Sequence, residues 1–376
     1  MTMLGIGENS QNDGGNMAFV EFYDHVPEFI VSSMENIYQS IFTTVARIRI
    51  YGALNNASTY VVRDGEKIRT VFIFRREKHR IIVSNEQINL ESDEIKKFAD
   101  AIFYKYKKIS CISFYAVGTD FDIFPRPYQK LNCLEDIVVQ LPRKAEDYLR
   151  SLSENARASI RRSQKKLKLN FPSIQFETCC KEDISEEQIR GIVALSRARM
   201  SAKKRRFHYD EDAIQKMMEL IRAYGCVMIG KTSSGICAGT ICYRVGEHYF
   251  MHILAHDPKY DGYGLGKLCC YLSVCDAINN GAIAYHFGWG RTNYKYAMGA
   301  KNIDLYRIEI YRSKARLAGN IGHFFQTRIF YELRRYKLWI ECVDQGNTKL
   351  DRRVVIALKA LRQIKSYIRL RDKGRP

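Results

Sequence analysis

The chain has 376 residues, 46% of them hydrophobic, enough to bury a core in two domains plus a tail, which excludes a disordered protein. Its 60 Lys and Arg against 41 Asp and Glu give a formal charge of +19, a balance that favours anionic partners such as nucleotides, nucleic acid or an anionic membrane surface. Eleven cysteines, scattered singly or as the adjacent pairs Cys179-Cys180 and Cys269-Cys270, read as reduced thiols of a cytoplasmic protein. The N-terminus lacks the pattern of a signal peptide, and no segment has the ~18 uninterrupted apolar residues of a spanning helix.

Residues 1–16 read as a flexible leader, followed by an amphipathic helix from Pro27 to Phe42. Alternating apolar residues then predict strands over Thr59–Arg63, Thr70–Phe74 and Arg80–Val83, an antiparallel meander with a turn at Asp64-Gly65. A helix over Ser92–Tyr106 and strands at Ile109–Phe114 and Asp136–Gln140 complete a first α/β unit, residues 17–142. The second unit, 143–313, opens on one helix predicted from Arg143 to Lys168, with Leu149, Leu152, Ala156 and Ile160 on one stripe and nine basic against three acidic residues overall.

A strand at Ile174–Glu177 and helices over Ser185–Met200 and Asp210–Tyr224 follow, with the basic run Lys203-Lys204-Arg205-Arg206 before His208 between the helices. A second meander is predicted from Cys226–Ile229, Gly239–Arg244 and His248–Ala255, which places His248, Phe250, His252 and Leu254 on one face. After the glycine-rich stretch 262–266 the pattern gives a helix to Asn279 and strands at Ala282–Phe287 and Leu305–Tyr311. Residues 314–376 form a basic helical extension in which Val354, Leu358, Leu361, Ile364 and Ile368 repeat at helical spacing. The fold class is therefore α/β with mixed α+β sheets, two similar units in tandem and a helical C-terminal tail. The basic helices are candidate contacts for an anionic membrane surface, at the inner membrane face, or for RNA such as tRNA.

The stretch Ala255-His256-Asp257-Pro258-Lys259-Tyr260-Asp261-Gly262-Tyr263-Gly264-Leu265-Gly266-Lys267 lies between a strand pattern and a helix pattern. Alternate glycines let backbone N–H groups approach a phosphate, and the helix start adds its dipole. It resembles the acyl-CoA-binding motif of the GNAT superfamily, V-x-P-x-x-R/Q-G-x-G-h-G, where h is apolar. Pro258 and all three glycines are in register, while His256 replaces the usual valine and Asp261 the usual Arg or Gln. A second stretch, Tyr285-His286-Phe287-Gly288-Trp289-Gly290-Arg291-Thr292-Asn293-Tyr294-Lys295-Tyr296-Ala297-Met298-Gly299, resembles the D-F-G-x-G-x-x-x-Y-K-x-x-x-G signature of CelD-like GNAT proteins, relatives of the FemAB ligases, with His286 at the usual Asp. The helix Asn155–Arg162 is similar to the arginine-rich helix that opens this domain in that branch.

The resemblance implies an acyltransferase using acetyl-CoA or another acyl-CoA, with a small-molecule or glycan acceptor, such as an amino sugar or polysaccharide precursor. It puts the pyrophosphate on residues His256, Lys259, Gly262, Tyr263, Gly264, Leu265, Gly266 and Lys267, with Lys259 or Lys267 supplying the charge that Asp261 lacks. The catalytic candidates are His252 or His286 as proton acceptor, Tyr294 as proton donor to the leaving thiolate, and Lys295 as a holder of anionic groups. Trp289 is a candidate to stack on a sugar or pantetheine. Helix packing is the reading for Cys269, Cys270 and Cys275. No metal is expected, because four residues of extended strand separate His248 from His252 by ~13 Å. Two other readings stay open: a FemAB-type ligase using aminoacyl-tRNA, and a non-catalytic interaction module.

Overall fold

The computed structural model describes residues 2–5, 18–52, 54–202, 207 and 209–344. Most of the leader, the 203–206 run with His208 and the tail from 345 lie outside the described residues. The chain divides into compact units Met1–Lys314 and Ala315–Pro376. In chain order the first contains β1 (Thr2–Gly5), β2 (Ala18–Tyr23), α1 (Ile30–Tyr38), α2 (Val45–Ile50), β3 (Ala57–Asp64), β4 (Lys67–Glu77), β5 (Arg80–Val83), α3 (Ser92–Lys105), β6 (Cys111–Val117) and β7 (Tyr128–Gln140). It continues with α4 (Ala145–Ser151), α5 (Glu154–Asn170), β8 (Gln175–Cys180), α6 (Glu186–Ala202), α7 (Glu211–Tyr224), β9 (Gly225–Thr232), β10 (Gly235–Val245) and β11 (His248–His256). Then come α8 (Leu265–Asn279), β12 (Ala284–His286), α9 (Asn293–Ala297) and β13 (Lys301–Tyr311). The C-terminal unit is described as helical, α10 (Lys314–Ala318) and α11 (Ile321–Asp344).

Among the described residues all strands form one mixed sheet in the order β1-β2-β3-β4-β5-β6-β13-β7-β12-β11-β10-β9-β8. Its central strands are covered on both faces, so they read as unbroken apolar runs such as the fully buried Val71, Phe72, Ile73 and Phe74. Each half of the sheet carries helices on both sides. In the first half α1 and α2 pack one face, with Ile30, Met34, Val45 and Ile48, and α3 packs the other, with Phe98 and Ile102. In the second half α6 and α7 cover one face (Ile192, Ile214), and α4, α5 and α8 the other (Tyr148, Ile160, Val274). This is a tandem GNAT-like architecture. Two strands cross the halves: β13 lies between β6 and β7, and the end of β7 pairs with β12, Val138 opposite His286.

Five expectations change. Within the expected flexible leader, Thr2–Gly5 form β1, paired with β2. The single helix over 143–168 is two, because Ser153 leaves the helix and caps the next one by accepting from Ala156 N at 3.3 Å. The Pro27–Phe42 helix ends at Tyr38, where Gln39 turns left-handed, and a short 3-10 turn and α2 follow. The strand over 282–287 is shorter, Ala284–His286. Leu254 does not share a face with His248, Phe250 and His252. The pairing of β10 with β11 skips His252, since Ile241 faces Ile253 and Cys242 faces Met251. That extra residue inverts the alternation beyond it and sends Leu254 into the α8-side core.

The two halves differ where their parallel strands end. In the first, β5 and β6 stay joined past their regular pairs: Gly118 N donates to Ile88 O (2.8 Å), Leu90 N to Gly118 O (2.9 Å), and Asn89 bridges Gly118. The start of α3 is closed by a reciprocal cap between Glu91 and Glu94. In the second half, pairing of β11 with β12 stops at Phe250 and His286, and Phe287 N turns away to Ile137 O (2.7 Å). The strands part there, directly below the His252 bulge, so the molecule has its cleft in the second half.

Candidate functional site

Three strands distant in sequence bring Asp136, His286 and His248 into line beside the cleft. His286 Nδ1 is 2.5 Å from Asp136 Oδ2, and His286 Nε2 is 3.1 Å from His248 Nδ1. With Asp136 as carboxylate the proton order is fixed: His286 donates from Nδ1 to Asp136 and accepts at Nε2 from His248 Nδ1–H. His248 Nε2 is then left as a lone-pair acceptor. Phe250 stacks on the His286 ring at 4.3 Å between centroids, locking its orientation. Burial, and then the neighbouring His286, push the His248 pKa down to about 4, with Asp136 opposing.

This depression has a measurable consequence. Folding excludes a proton that the unfolded chain takes up below the ordinary histidine pKa of 6.5. The penalty is therefore absent above pH 6.5, appears as pH falls, and is complete near pH 4. The thermal midpoint should drop over that window by the equivalent of about 1–3 kcal/mol. A His248→Gln variant should reduce the drop to the share that His252 contributes over the same window, and an identical pH profile for variant and parent would contradict the assignment.

His252, the bulge residue, stands on the same face among the rings of Tyr209 (5.5 Å) and Tyr243 (5.4 Å). Its ring is open to solvent, yet crowding by protein and the Arg47 guanidinium favour its neutral form. Around it run further aromatics. Phe42 meets Phe250 edge-on at 5.9 Å and lies 6.4 Å from Trp289, while Arg47 sits over both Phe42 and Tyr51. Trp289 and Tyr51 are more than half exposed, so this aromatic wall faces solvent.

The loop after β12 is held from beneath. Lys295 is buried and donates to the carbonyls of Gly288 (3.1 Å) and Trp289 (2.6 Å). Burial lowers its pKa to about 8, offset in part by Asp136, Cys270 and Glu135. Arg291 adds an ion pair to buried Glu135 at 2.8 Å. Tyr294 is half-buried against the α8-side core, and burial raises its pKa, so the hydroxyl stays protonated.

At the glycine stretch, Pro258–Tyr263 form a 3-10 turn started by Asp257, and Gly264 takes a left-handed φ of 72° to begin α8. No side chain caps the start of α8, at Leu265, Gly266 and Lys267. The glycines have different reasons. A Cβ on Gly264 would lie 2.3 Å from Ser163 Oγ of α5, and one on Gly266 2.4 Å from His256 Nδ1, whereas Gly262 has open space around it. The two departures from the family motif belong together: His256 is buried beneath Gly266, and its Nε2 is 2.7 Å from Asp261 Oδ1. Lys267 Nζ reaches Ser159 Oγ of α5 at 2.5 Å, and Lys259 lies 3.5 Å from Asp257. Leu265 is fully buried as a packing residue, and Tyr263 packs on Phe171. The exposed Arg162 and Lys166 share the α5 stripe that contains Ser159 and Ser163, the residues of α5 that meet Lys267 and Gly264.

Residues 154–296 match the family described as acetyltransferase (GNAT) domain. That segment is a GNAT domain. The fold of the chain is similar to that of FemX, a crystal structure 8% identical that aligns over 79% of this chain and 99% of FemX with a TM-score of 0.59. Weaker likenesses include L-PGS from Bacillus licheniformis (13% identity, 82% of this chain and 98% of that one, TM-score 0.48) and a tandem GNAT protein from the clavulanic acid biosynthesis pathway (9%, 78% and 98%, 0.38). No curated protein sequence matches.

The GNAT domain makes the protein a transferase of the acyltransferase kind. Among its described residues no helix is long and apolar enough to cross a membrane, and no group of three His, Cys, Asp or Glu side chains could hold a metal. Of the residues singled out from sequence, His252, His286 and Trp289 gather at the cleft, while Tyr294 and Lys295 lie behind its loop and the 256–267 set forms the turn. Asp136 and His248 were missed as members of the site. A histidine at the end of a strand signals a site, but nothing local says which distant strand supplies its carboxylate.

Proposed function

We propose that this protein transfers an acyl group from acetyl-CoA or another acyl-CoA to an amine or hydroxyl of an amino sugar or polysaccharide precursor, in the cytoplasm. The observation that carries the reading is the parting of β11 and β12 at Phe250 and His286, between an anion cradle on one side and an aromatic wall on the other. The pyrophosphate of the donor fits the N–H groups of Leu265–Lys267, with Arg162 and Lys166 in place of the motif's usual Arg or Gln. Trp289 and Tyr51 suit the apolar face of a sugar ring, and Arg47 suits an acidic substituent. Residues 143–313 carry the chemistry and 17–142 complete the wall through Phe42, Arg47 and Tyr51.

In this mechanism the acceptor nitrogen attacks the thioester carbonyl and gives up its proton to Nε2 of His248. Asp136 stabilises the resulting positive charge through His286. The C–S bond breaks and the thiolate takes the proton held by His248, which restores the base; Tyr294, behind the loop and with its pKa raised by burial, is the weaker donor. Neutral His252 accepts a hydrogen bond from the acceptor and orients it, and Lys295 fixes the loop. Thermal-shift and intact-mass screening of the full chain against acyl-CoAs tests the donor. Stabilisation and acyl transfer to a glucosamine-type acceptor are expected; no response to any acyl-CoA would sink the reading.

A second reading has its own support. The FemX fold and the exposed cations Arg161, Arg162, Lys165, Lys166 and Lys168 of α5 beside the cradle suit an aminoacyl-tRNA donor. Salt-sensitive tRNA binding without acyl-CoA binding would select it.

A further inference from the structure

The first half of the sheet, which lacks a strand cleft, has a different concavity. An open cavity of about 460 Å³ lies between the β4–β5 turn and the end of α3, lined by Arg76, Lys78, Lys107, Lys108, Tyr106 and Asn56 among others, with no carboxylate in its lining. None of these four cations has a carboxylate partner among the described residues. Arg76 instead lies over the Tyr106 ring at 5.1 Å, and Lys107 over Tyr104 at 4.6 Å. Nor are the lysines needed to cap α3. Arg312 already donates to the carbonyls of Phe103 (2.7 Å), Tyr106 (2.5 Å) and Ile109 (2.7 Å).

The Tyr106 ring lines the cavity, while its hydroxyl is buried out of reach of solvent. Lys78 and Asn56, which line it from two separate turns, both hold a positive φ, 53° and 57°. Asparagine adopts that conformation readily, lysine does not. Four cations converging on one concavity repel one another, and a compact dianion or polyanion relieves that repulsion. The cavity's size is that of a small-ligand site, too confined for a flat lipid surface.

We propose that this cavity binds a compact phosphorylated ligand of the pyrophosphate or nucleoside polyphosphate class, independently of the transfer cleft. Lys107, Lys108 and Lys78 contact the phosphoryl oxygens, and Arg76 supplies a forked pair of donors.

The test uses the full chain with inorganic pyrophosphate as probe, reading amine-reactive labelling of each lysine by mass spectrometry alongside calorimetry. Pyrophosphate should protect Lys78, Lys107 and Lys108 several-fold and leave Lys67, at the other end of β4, unchanged. A Lys107→Glu/Lys108→Glu variant with an unchanged melting profile should lose about tenfold or more in affinity. If it does not fold, Arg76→Gln in its place should weaken binding. A Gly262→Glu change at the glycine turn should leave the protection intact. Absence of protection, equal protection by sulfate, loss of protection in Gly262→Glu, or binding to phosphatidylglycerol vesicles without pyrophosphate binding would each overturn the proposal.

Discussion

A His286→Ala variant is expected to remain folded and to lose about 10²–10⁴-fold in transfer rate, with little change in the donor KM. The ring touches Asp136, His248 and Phe250 and lies apart from the glycine turn, so its loss disconnects the relay without altering the cradle. Asp136→Asn should cost a comparable factor for a different reason. An amide can donate to His286 Nδ1, which reverses the proton order and turns His248 Nε2 from acceptor to donor. The pH profile separates this from a merely structural role. In the parent, kcat/KM should stay high well below pH 6.5, because His248 remains neutral down to about pH 4. Asp136→Asn should depress the plateau, while His252→Ala should raise the acceptor KM more than it lowers the plateau. Retention of activity within about threefold in His286→Ala would place the proton acceptor elsewhere.

What could be read from sequence follows the range of the forces involved. The meanders, the glycine turn and the helix after it rest on local chemistry: alternation on half-buried strands, a left-handed Gly264, an apolar face at helical spacing. Ser153 and Gln39 break expected helices through caps and turns that operate within three or four residues, yet periodicity alone runs straight through them. The extra residue at His252 has no local signature either, since it is defined only against the register of β10. The relay is still further from view. Asp136 and His286 are 150 residues apart and meet only because β7 reaches across to pair with β12 while β13 occupies the place beside β6. The departures His256 and Asp261 look like two losses from a motif, and become one interaction only when the turn folds His256 beneath Gly266.

The turn also allows the donor to be tested without disturbing the fold, provided the right glycine is changed. Gly264 is the obvious target, but its φ of 72° and the 2.3 Å approach of Ser163 Oγ mean that even alanine strains the backbone and pushes α5 away. We expect Gly264→Ala to cost about 1–3 kcal/mol of stability, so lost activity there would say nothing specific about phosphate. Gly262 is exposed, free of positive φ and has nothing within 4 Å of a Cβ. Gly262→Glu should therefore fold, and a carboxylate near the uncapped start of α8 adds about 0.3–1 kcal/mol of helix stabilisation at most. In function the same carboxylate competes with the donor's pyrophosphate for the Leu265–Lys267 N–H groups and repels it. The expected result is an unchanged or slightly raised melting temperature together with a rise of about 10–100-fold in donor KM and a small effect on kcat. Gly262→Ala should lie between the two. An unchanged donor KM in Gly262→Glu would remove the pyrophosphate from this turn, and a defect seen with aminoacyl-tRNA but with no acyl-CoA would transfer the same cradle to the tRNA-dependent reaction.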